Sequence, residues 1–385
     1  WAADQTWDGT GGTQEWNTAA NWTADAFPSA SNATINTSTG LYPIISSNAS
    51  WKPTDLIIGS TTGQTGRLDH RAGLLELNVV GANGNWFFVG KGGGTGTYNL
   101  ANTATTGGAL TGFGQGTGSL TVGKFFVGGG YYSPGGTGTV NINTTGTVNV
   151  QSTQNFSGQG TSSLVVGFGA ATGTLNVDSG TINAAGIVDI GAAQSNTQNV
   201  QATLRLGSGA TLNSEGDFRT AYAGNASSLA TVSLTGGTLN VGSTIKRWMA
   251  VGTWDFASSN VTVTSGNINL NTNTDLKFKI QGGSGNHTVT LNGGAITSYS
   301  DNHVTATGAG VVDLMSVASS AVNTFNLNGG TLSIREVITS DNGSTAVFNF
   351  NGGTLKATGA TSNFLTLGGA SQRANVRNNG AVIHT

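Results

Sequence analysis

Short phrases of alternating apolar and small polar residues recur along the chain, and each phrase contains a glycine turn. The clearest copies run over 232–239, 289–296, 325–332 and 348–355. Repetition of this kind predicts a β-solenoid in which each repeat forms one coil and packs on its neighbours. Ten copies aligned on the last glycine of the turn are spaced 23 to 38 residues apart, at Gly108, Gly146, Gly180, Gly209, Gly237, Gly266, Gly294, Gly330, Gly353 and Gly380.

The apolar positions of these phrases predict which side chains lie in the core. Val232 and Leu234 stand five and three residues before the glycine, and Ser233 lies between them. Because successive side chains of a strand point to opposite faces, we expect the apolar pair to point inward and the polar residue outward. Asn and Thr at the turns, such as Asn292 and Asn328, tolerate the left-handed backbone of a corner. We interpret them as stacked corner ladders, with a role as ligand donors as the alternative.

A second apolar phrase lies between the glycine turns from about residue 51 onward. Its copies end at Gly59, Gly90, Gly128, Gly167, Gly191, Gly252 and Gly368. Each coil thus carries at least two strands separated by corners, which is the arrangement of stacked parallel strands. The sequence therefore predicts an all-β fold, a single-stranded parallel β-helix (β-solenoid) of about ten coils.

The first 50 residues differ in character from the repeats. Trp7, Trp16 and Trp22 lie there among turn residues, followed by two prolines. A solenoid end exposes unpaired strand edges and an open core, so a terminal unit of atypical sequence is expected. We predict an N-terminal Trp-rich cap over residues 1–50 and a β-solenoid repeat domain over residues 51–385.

Composition narrows the classes of function. The chain has 62 glycines, 8% charged residues and a formal net charge of −2, whereas soluble domains average roughly 25% charged residues. No basic cluster is present to neutralise phosphates, so nucleic acid is not an expected partner. The chain has no Cys, which excludes disulfides and thiolate metal sites, and no apolar stretch long enough to span a membrane. It begins at Trp1 rather than Met, which predicts that a secretion signal or tag has been removed.

Aromatic residues break the alternation of the second phrase. Positions two and four before its glycine should face outward and be polar, yet several of them are aromatic, and further aromatic residues lie nearby. Such a stripe is either an exposed platform for sugar rings or a partner protein, or a seam covered by the cap or a long corner loop. The candidate contact residues are Trp86, Phe88, Phe126, Tyr131, Tyr132, Tyr222, Trp248 and Trp254.

Charged side chains concentrate in one segment of two adjacent repeats. The candidate cluster contains Glu215, Asp217, Arg219, Lys246 and Arg247. Arg219 and Arg247 each stand five residues before a glycine, which predicts that they stack in neighbouring coils and hold an acidic sugar. The alternative is ordinary surface ion pairing, which contributes little.

Two further polar patches are less specific. The segment 67–71 contains two arginines, an aspartate and a histidine and is followed by Glu76, while Asp301 and His303 form a loop pair. A single His beside a single Asp is common in loops. We therefore predict no catalytic, cofactor-binding or metal-ligating residues.

One resemblance covers nearly the whole chain. The opening from Trp7 to Trp22, WDGTGGTQEWNTAANW, followed by Gly-Gly-Thr-Leu coils, resembles large secreted bacterial proteins with autotransporter-associated β-strand repeats. The resemblance implies a right-handed β-helix and a secreted or cell-surface location in bacteria, and it provides no catalytic residues. Many such proteins carry a C-terminal sorting signal. This chain instead ends within a coil phrase, which predicts either a fragment of a longer protein or an open end met by another molecule.

Two hypotheses of function follow from these observations. The first is a non-enzymatic extracellular structural protein, a rigid solenoid that joins end to end or side by side into a fibre or surface layer, or that acts in adhesion. The second is a β-helix that binds or degrades polysaccharide through the aromatic stripe and the charged cluster. No cofactor is expected in either case.

Overall fold

The computed structural model is nearly all β and forms two compact units, unit 1 over Trp1–Gly186 and unit 2 over Ile187–Thr385. The prediction of an all-β parallel β-helix is confirmed, since strands of two long parallel sheets alternate along the chain within each unit. The structure describes residues 3–38, 40–77, 85–106, 109–131, 133–153, 162–242, 247–254, 257–271, 274–278, 283–298, 310–314, 320–341, 343, 345–359, 361 and 363–385.

Unit 1 contains a sheet of short strands and a sheet of longer ones. The short strands are Gln5–Thr6, Ala33–Ile35, Leu56–Ile58, Trp86–Val89, Lys124–Val127 and Ser162–Phe168. The second sheet contains Ile44–Ile45, Thr65–His70, Leu74–Glu76, Thr95–Thr106, Ser119–Val122, Gly136–Val150 and Ala171–Ala184. Ala109–Gly114 pairs antiparallel with Thr95–Thr106 as a side hairpin. Two short 3-10 helices, Ala19–Asn21 and Thr23–Asp25, lie near the start of the chain.

Unit 2 repeats this arrangement. Its short strands are Ile187–Ala192, Phe218–Tyr222, Trp248–Trp254, Asp275–Phe278, Val311–Asp313, Glu336–Ile338 and Leu365–Thr366. Its second sheet contains Gln201–Ser214, Leu229–Val241, Ser258–Leu270, Asn286–Leu291, Ala295–Ser298, Val322–Leu327, Thr331–Ile334, Thr345–Phe350, Thr354–Ala357, Gln372–Val376 and Val382–His384.

The alternation of the first phrase determines the core. Val232 and Leu234 are buried and Ser233 is half-buried, so the predicted inward and outward faces are confirmed there. Where a strand runs through the glycine turn, as in Leu229–Val241, the pairing shifts register next to the turn. The turn is therefore a bulge that bends one long strand, which directs the alternating side chains on both sides of the bend toward the core.

Tryptophan rings pack together within the first 51 residues. Trp22 contacts Trp7 and Trp16 edge-on, with ring centroids 5.2 and 4.9 Å apart, and Trp16 stacks on Trp51 at 4.6 Å. All four rings are buried. In the same segment, Ala33–Ile35 already pairs with Leu56–Ile58 in the short-strand sheet. The Trp-rich opening thus forms its own core cluster, and the boundary at residue 50 stays a prediction.

The glycine that ends the second phrase has a left-handed backbone in both units. The φ angle is +73° at Gly90, +79° at Gly191 and +74° at Gly252. In unit 2 the pairing of Thr220 with both Ile190 and Val251 places Ala221 at the equivalent position, where φ is +49°. Glycine adopts this conformation without steric cost, whereas Ala does not. Ala221 therefore replaces the glycine of its coil.

Candidate functional site

The aromatic stripe of unit 1 is covered rather than open. Phe88 and Phe126 are only 1% and 2% exposed, and their rings stack with centroids 5.2 Å apart. A methyl group placed on Gly130 would lie 2.8 Å from Cε1 of Phe88, so the corner loop passes directly over this ring. The rings of Phe168 and Phe126 pack edge to face, with centroids 6.0 Å apart. Of the two alternatives, the covered seam therefore describes these two rings, because a corner loop lies over them.

The neighbouring rings of unit 1 extend this covered cluster. Trp86 is half-buried and lies 5.6 Å from Phe88 and 6.0 Å from Phe126 between ring centroids. Tyr131 is half-buried and packs 6.0 Å from Phe168. The two residues that remain partly accessible thus rest on buried rings, and the contact between Tyr131 and Phe168 joins the corner loop to the sheet.

In unit 2 the predicted aromatic contacts lie beneath cations. Tyr222 is 7% exposed, with the guanidinium carbon of Arg219 4.0 Å from its ring centroid. Trp248 is half-buried, with Nζ of Lys277 5.4 Å from its ring centroid. Cations above a ring face stabilise both partners. These rings are therefore already engaged by side chains of the chain itself.

The charged cluster is divided among local partners. Arg219 forms a two-pronged ion pair with Asp189, at 2.6 Å from Nε to Oδ1 and 2.7 Å from Nη2 to Oδ2. Burial tends to lower the pKa of Arg219, but Asp189 raises it above its ordinary value. In the sheet, Arg219 stands opposite Asp189 on one side and Ala250 on the other. The predicted stacking of Arg219 on Arg247 is wrong, because Ala221 and not Gly224 is the equivalent of Gly252.

The remaining members of the cluster bind backbone groups. Nε of Arg247 donates to the carbonyl oxygen of Glu215 at 3.1 Å, and Oδ1 of Asp217 accepts the backbone N–H of Trp248 at 3.0 Å. Burial raises the pKa of the Asp217 carboxyl, while the bond from Trp248 acts in the opposite direction. These two bonds pin the strand Trp248–Trp254 to the preceding coil through backbone groups.

The polar segment 67–71 forms a buried network in unit 1. Asp69 is fully buried and accepts two bonds from Arg67, one from Asn99 at 2.8 Å and one from Thr103 at 2.8 Å. The segment's His70 is also buried, and burial lowers its pKa to about 4. Four bonds to one carboxylate compensate its removal from water. We interpret the network as structural.

Asp69 also starts a ladder of asparagine side chains. Asn99 donates to Asp69, Asn141 donates to Asn99 at 2.9 Å, and Asn176 donates to Asn141 at 3.0 Å. Each donor lies directly opposite its acceptor in the sheet register. The amides therefore point the same way along the stack, an arrangement in which each hydrogen bond polarises the next. The carboxyl group of Asp69 stands at the end toward which the N–H groups of the ladder are directed.

Two asparagine ladders in unit 2 border an open polar groove. In one, Asn375 donates to Asn349 at 2.9 Å and Asn349 donates to Asn326 at 2.8 Å. In the other, at the glycine turns, Asn351 donates to Asn328 at 3.3 Å and Asn328 donates to the preceding coil. The groove encloses about 570 Å³ and is lined by Asn326, Asn328, Asn349, Asn351, Arg377, Asn378 and Asn379. We call it the asparagine groove.

A smaller groove of about 330 Å³ follows a third ladder of unit 2. Here Asn269 donates to Asn240 and Asn240 donates to Asn213, both at 2.7 Å. Nδ2 of Asn271 donates to the carbonyl oxygen of Gly242 at 2.7 Å. The lining comprises Asn213, Ser214, Glu215, Asn240, Gly242 and Asn271. Amide groups in regular rows thus line both grooves and offer hydrogen bonds rather than apolar contact.

Several predicted positions lie outside the described residues: Gly108, Tyr132, Lys246, Asp301 and His303, together with the side chain of Trp254. Within the described part of the chain, no group of three or more His, Asp or Glu side chains is arranged to hold a metal ion. The same ranges contain no helix long and apolar enough to cross a membrane. Comparison with protein-family models, curated proteins and solved structures finds no match to this chain.

The asparagine ladders are predictable from the sequence, whereas the asparagine groove is not. The available signal was the recurrence of Asn at one position of successive phrases, as at Asn326 and Asn349. That signal predicts stacking, because parallel coils bring equivalent positions together. It does not show that a second ladder at the turn lies beside the first, or that Arg377 enters the space with them.

Proposed function

We propose that this protein is a non-catalytic structural protein of the cell exterior, a stiff β-helical element that associates side by side with further copies. The observation that carries the proposal is the set of side-chain ladders within each unit. Asn99, Asn141 and Asn176 form one ladder in unit 1. In unit 2 the rings of Phe325 and Phe348 stack in the core, with centroids 5.1 Å apart. Such ladders stabilise stacked strands without providing reactive groups.

The sparse charge of the chain supports association between copies. A formal net charge of −2 over 385 residues produces little repulsion between molecules, and a net charge near zero promotes association. The buried ion pairs of Arg67 with Asp69 and of Arg219 with Asp189 neutralise charge locally. The proposed location outside the cell rests on the resemblance to secreted repeat proteins.

Sedimentation velocity over a concentration series, with negative-stain electron microscopy, tests this proposal. We expect ordered assemblies that grow with concentration. A matched variant, Ser208→Lys with Ser265→Lys, places like charges at two exposed turn positions and should weaken assembly at low salt. Assembly should return in 1 M salt, where the screening length is about 3 Å. Dispersed monomers at every concentration would refute the association.

The second candidate function is polysaccharide binding. The asparagine groove favours it, since an open channel lined by amides offers donors and acceptors to sugar hydroxyls. The aromatic residues proposed from the sequence provide less support, because Phe88, Phe126 and Tyr222 are buried. No carboxylate lines the asparagine groove as described, so the candidate is binding without cleavage.

A further inference from the structure

We infer that the asparagine groove is a binding site for an extended acidic polysaccharide, with Arg377 as the residue that holds a carboxylate of the sugar chain. This inference deepens the second candidate function and rests on it. It is carried by the repeat of the ladders, by the hydrogen-bonding capacity that they leave unused, and by the placement of one guanidinium in an otherwise neutral channel.

The ladders offer the same groups at regular intervals. Asn326 and Asn349 stand directly opposite each other in paired parallel strands, so equivalent amides repeat about every 4.8 Å along the stack. Asn328 and Asn351 form the second row at the turns. A ligand that meets both rows repeatedly must itself be an extended polymer with hydroxyl groups at regular spacing.

Each ladder uses only some of the hydrogen-bond donors and acceptors of its amide groups. A primary amide has two N–H donors and an oxygen with two lone pairs. Asn328 and Asn351 each donate one N–H to the preceding amide of the row. Asn328 is exposed and Asn351 is half-buried, so their second N–H groups are accessible to a ligand. Because the ladder bonds hold the side chains in place, these donors lose little conformational freedom on binding.

Arg377 adds a positive charge to this neutral lining. Its Nε and Nη2 donate to Oδ1 of Asn349 at 3.3 and 3.2 Å, which orients the guanidinium beside the ladder. An arginine has five N–H donors, so the edge formed by Nη1 and Nη2 retains N–H groups for a two-pronged bond to a carboxylate. Arg377 is exposed and is the one charged residue of the described lining.

The lining also distinguishes between classes of ligand. No aromatic residue is among the described lining residues, whereas single-stranded nucleic acids are held largely by base stacking on aromatic rings. Hydrophobic peptides would find few apolar contacts among six asparagine side chains and one arginine. Polyhydroxylated chains with carboxylates match both the amide rows and the guanidinium.

Isothermal titration calorimetry with polygalacturonate, dextran and polyglutamate tests the inference. We expect the wild-type chain to bind polygalacturonate, with at least tenfold weaker binding of the other two polymers. Arg377→Gln should weaken polygalacturonate binding by about tenfold or more. The matched control is Arg373→Gln, which removes the same charge from an exposed side chain of the same coil outside the groove lining, and it should change affinity by less than about twofold.

Each contrary result has a distinct meaning. Absence of binding to every polymer would overturn both the inference and the second candidate function. Equal binding of dextran would leave polysaccharide binding in place but overturn the preference for acidic chains, and equal binding of polyglutamate would overturn the ligand class. Equal losses in Arg377→Gln and Arg373→Gln would overturn the site. Arg377→Lys, which keeps the charge but not the fork, should give an intermediate affinity, and unchanged unfolding midpoints would show that the variants remain folded.

Discussion

In unit 2, equivalent positions of three successive coils share a left-handed backbone. The same Gly→Ala substitution can therefore be compared at two sites that differ in their surroundings. Gly191, Ala221 and Gly252 occupy equivalent positions of successive coils, with φ of +79°, +49° and +74°. A methyl group added at Gly191 would have Cβ of Ala230 as its nearest neighbour at 3.3 Å. At Gly252 the same group would lie 2.1 Å from Cε1 of His287, which is fully buried.

At Gly191 the unfavourable and favourable energy terms nearly cancel. A left-handed backbone costs a residue with a Cβ roughly 1–2 kcal/mol. Replacing glycine reduces the entropy of the unfolded chain, which returns about 0.5–1 kcal/mol, and burying a methyl group contributes about 0.8 kcal/mol. Gly191→Ala should therefore stay within about 1 kcal/mol of wild type. The presence of Ala221 in the adjacent coil agrees with this balance.

At Gly252 the clash with His287 is added to the backbone term. Overpacking a filled core costs about 1–3 kcal/mol, and here no free volume exists in which the methyl group could gain contact energy. We expect Gly252→Ala to lower the free energy of unfolding by about 2–4 kcal/mol. Equilibrium urea unfolding followed by circular dichroism measures both variants, with Ala221→Gly as a further near-neutral control. A Gly191→Ala loss as large as that of Gly252→Ala would refute the reasoning.

Three further predictions concern polar groups and use the same unfolding assay. Asn240→Ala removes two ladder hydrogen bonds of 2.7 Å and should lower the free energy of unfolding by about 2 kcal/mol. Asn271→Ala breaks one hydrogen bond and should cost about half as much. Equal losses in the two variants would contradict the stabilising role of the ladder. Burial lowers the pKa of His70 to about 4 from an ordinary 6.5, so the folded state disfavours the proton. Its contribution is complete above pH 6.5 and should fall by up to about 3 kcal/mol toward pH 4, a slope that His70→Gln should flatten. Asp69→Asn should cost about 3–5 kcal/mol, because the buried guanidinium of Arg67 loses its carboxylate, and a near-neutral result would show that the guanidinium finds other partners.

Side-chain alternation was sufficient to predict the core but not the covering of the outer faces. Val232 and Leu234 lie inward as expected, since local strand geometry alone decides their direction. Phe88 and Phe126 also follow the rule, as they point away from the sheet's inner residues, yet they are buried by a corner loop. Loop placement depends on contacts between segments distant in sequence, and alternation carries no information about it.

The predicted stacking of Arg219 on Arg247 was wrong for a different reason. The prediction required each copy of the second apolar phrase to end in a glycine. In the coil of Arg219, the residue at that position is Ala221. The resulting shift of three residues placed Arg247 opposite Arg219 in the following coil, where the residue actually paired with it is Ala250. Glycine is a reliable marker of a left-handed backbone only where no other term offsets the strain, and a buried methyl group offsets it here.

Parallel stacking in register also accounts for the scarcity of charge. A residue repeated at one position of successive coils lies about 4.8 Å from its own copies, so a repeated Lys or Glu would place like charges in contact along the column. Repeated asparagine instead forms a donor-to-acceptor chain, as from Asn375 through Asn349 to Asn326. Charge is tolerated where neighbours alternate in sign, as with Asp189 opposite Arg219. Because the ladders beside the asparagine groove contain only neutral side chains, Arg377 sets the electrostatic preference of the groove.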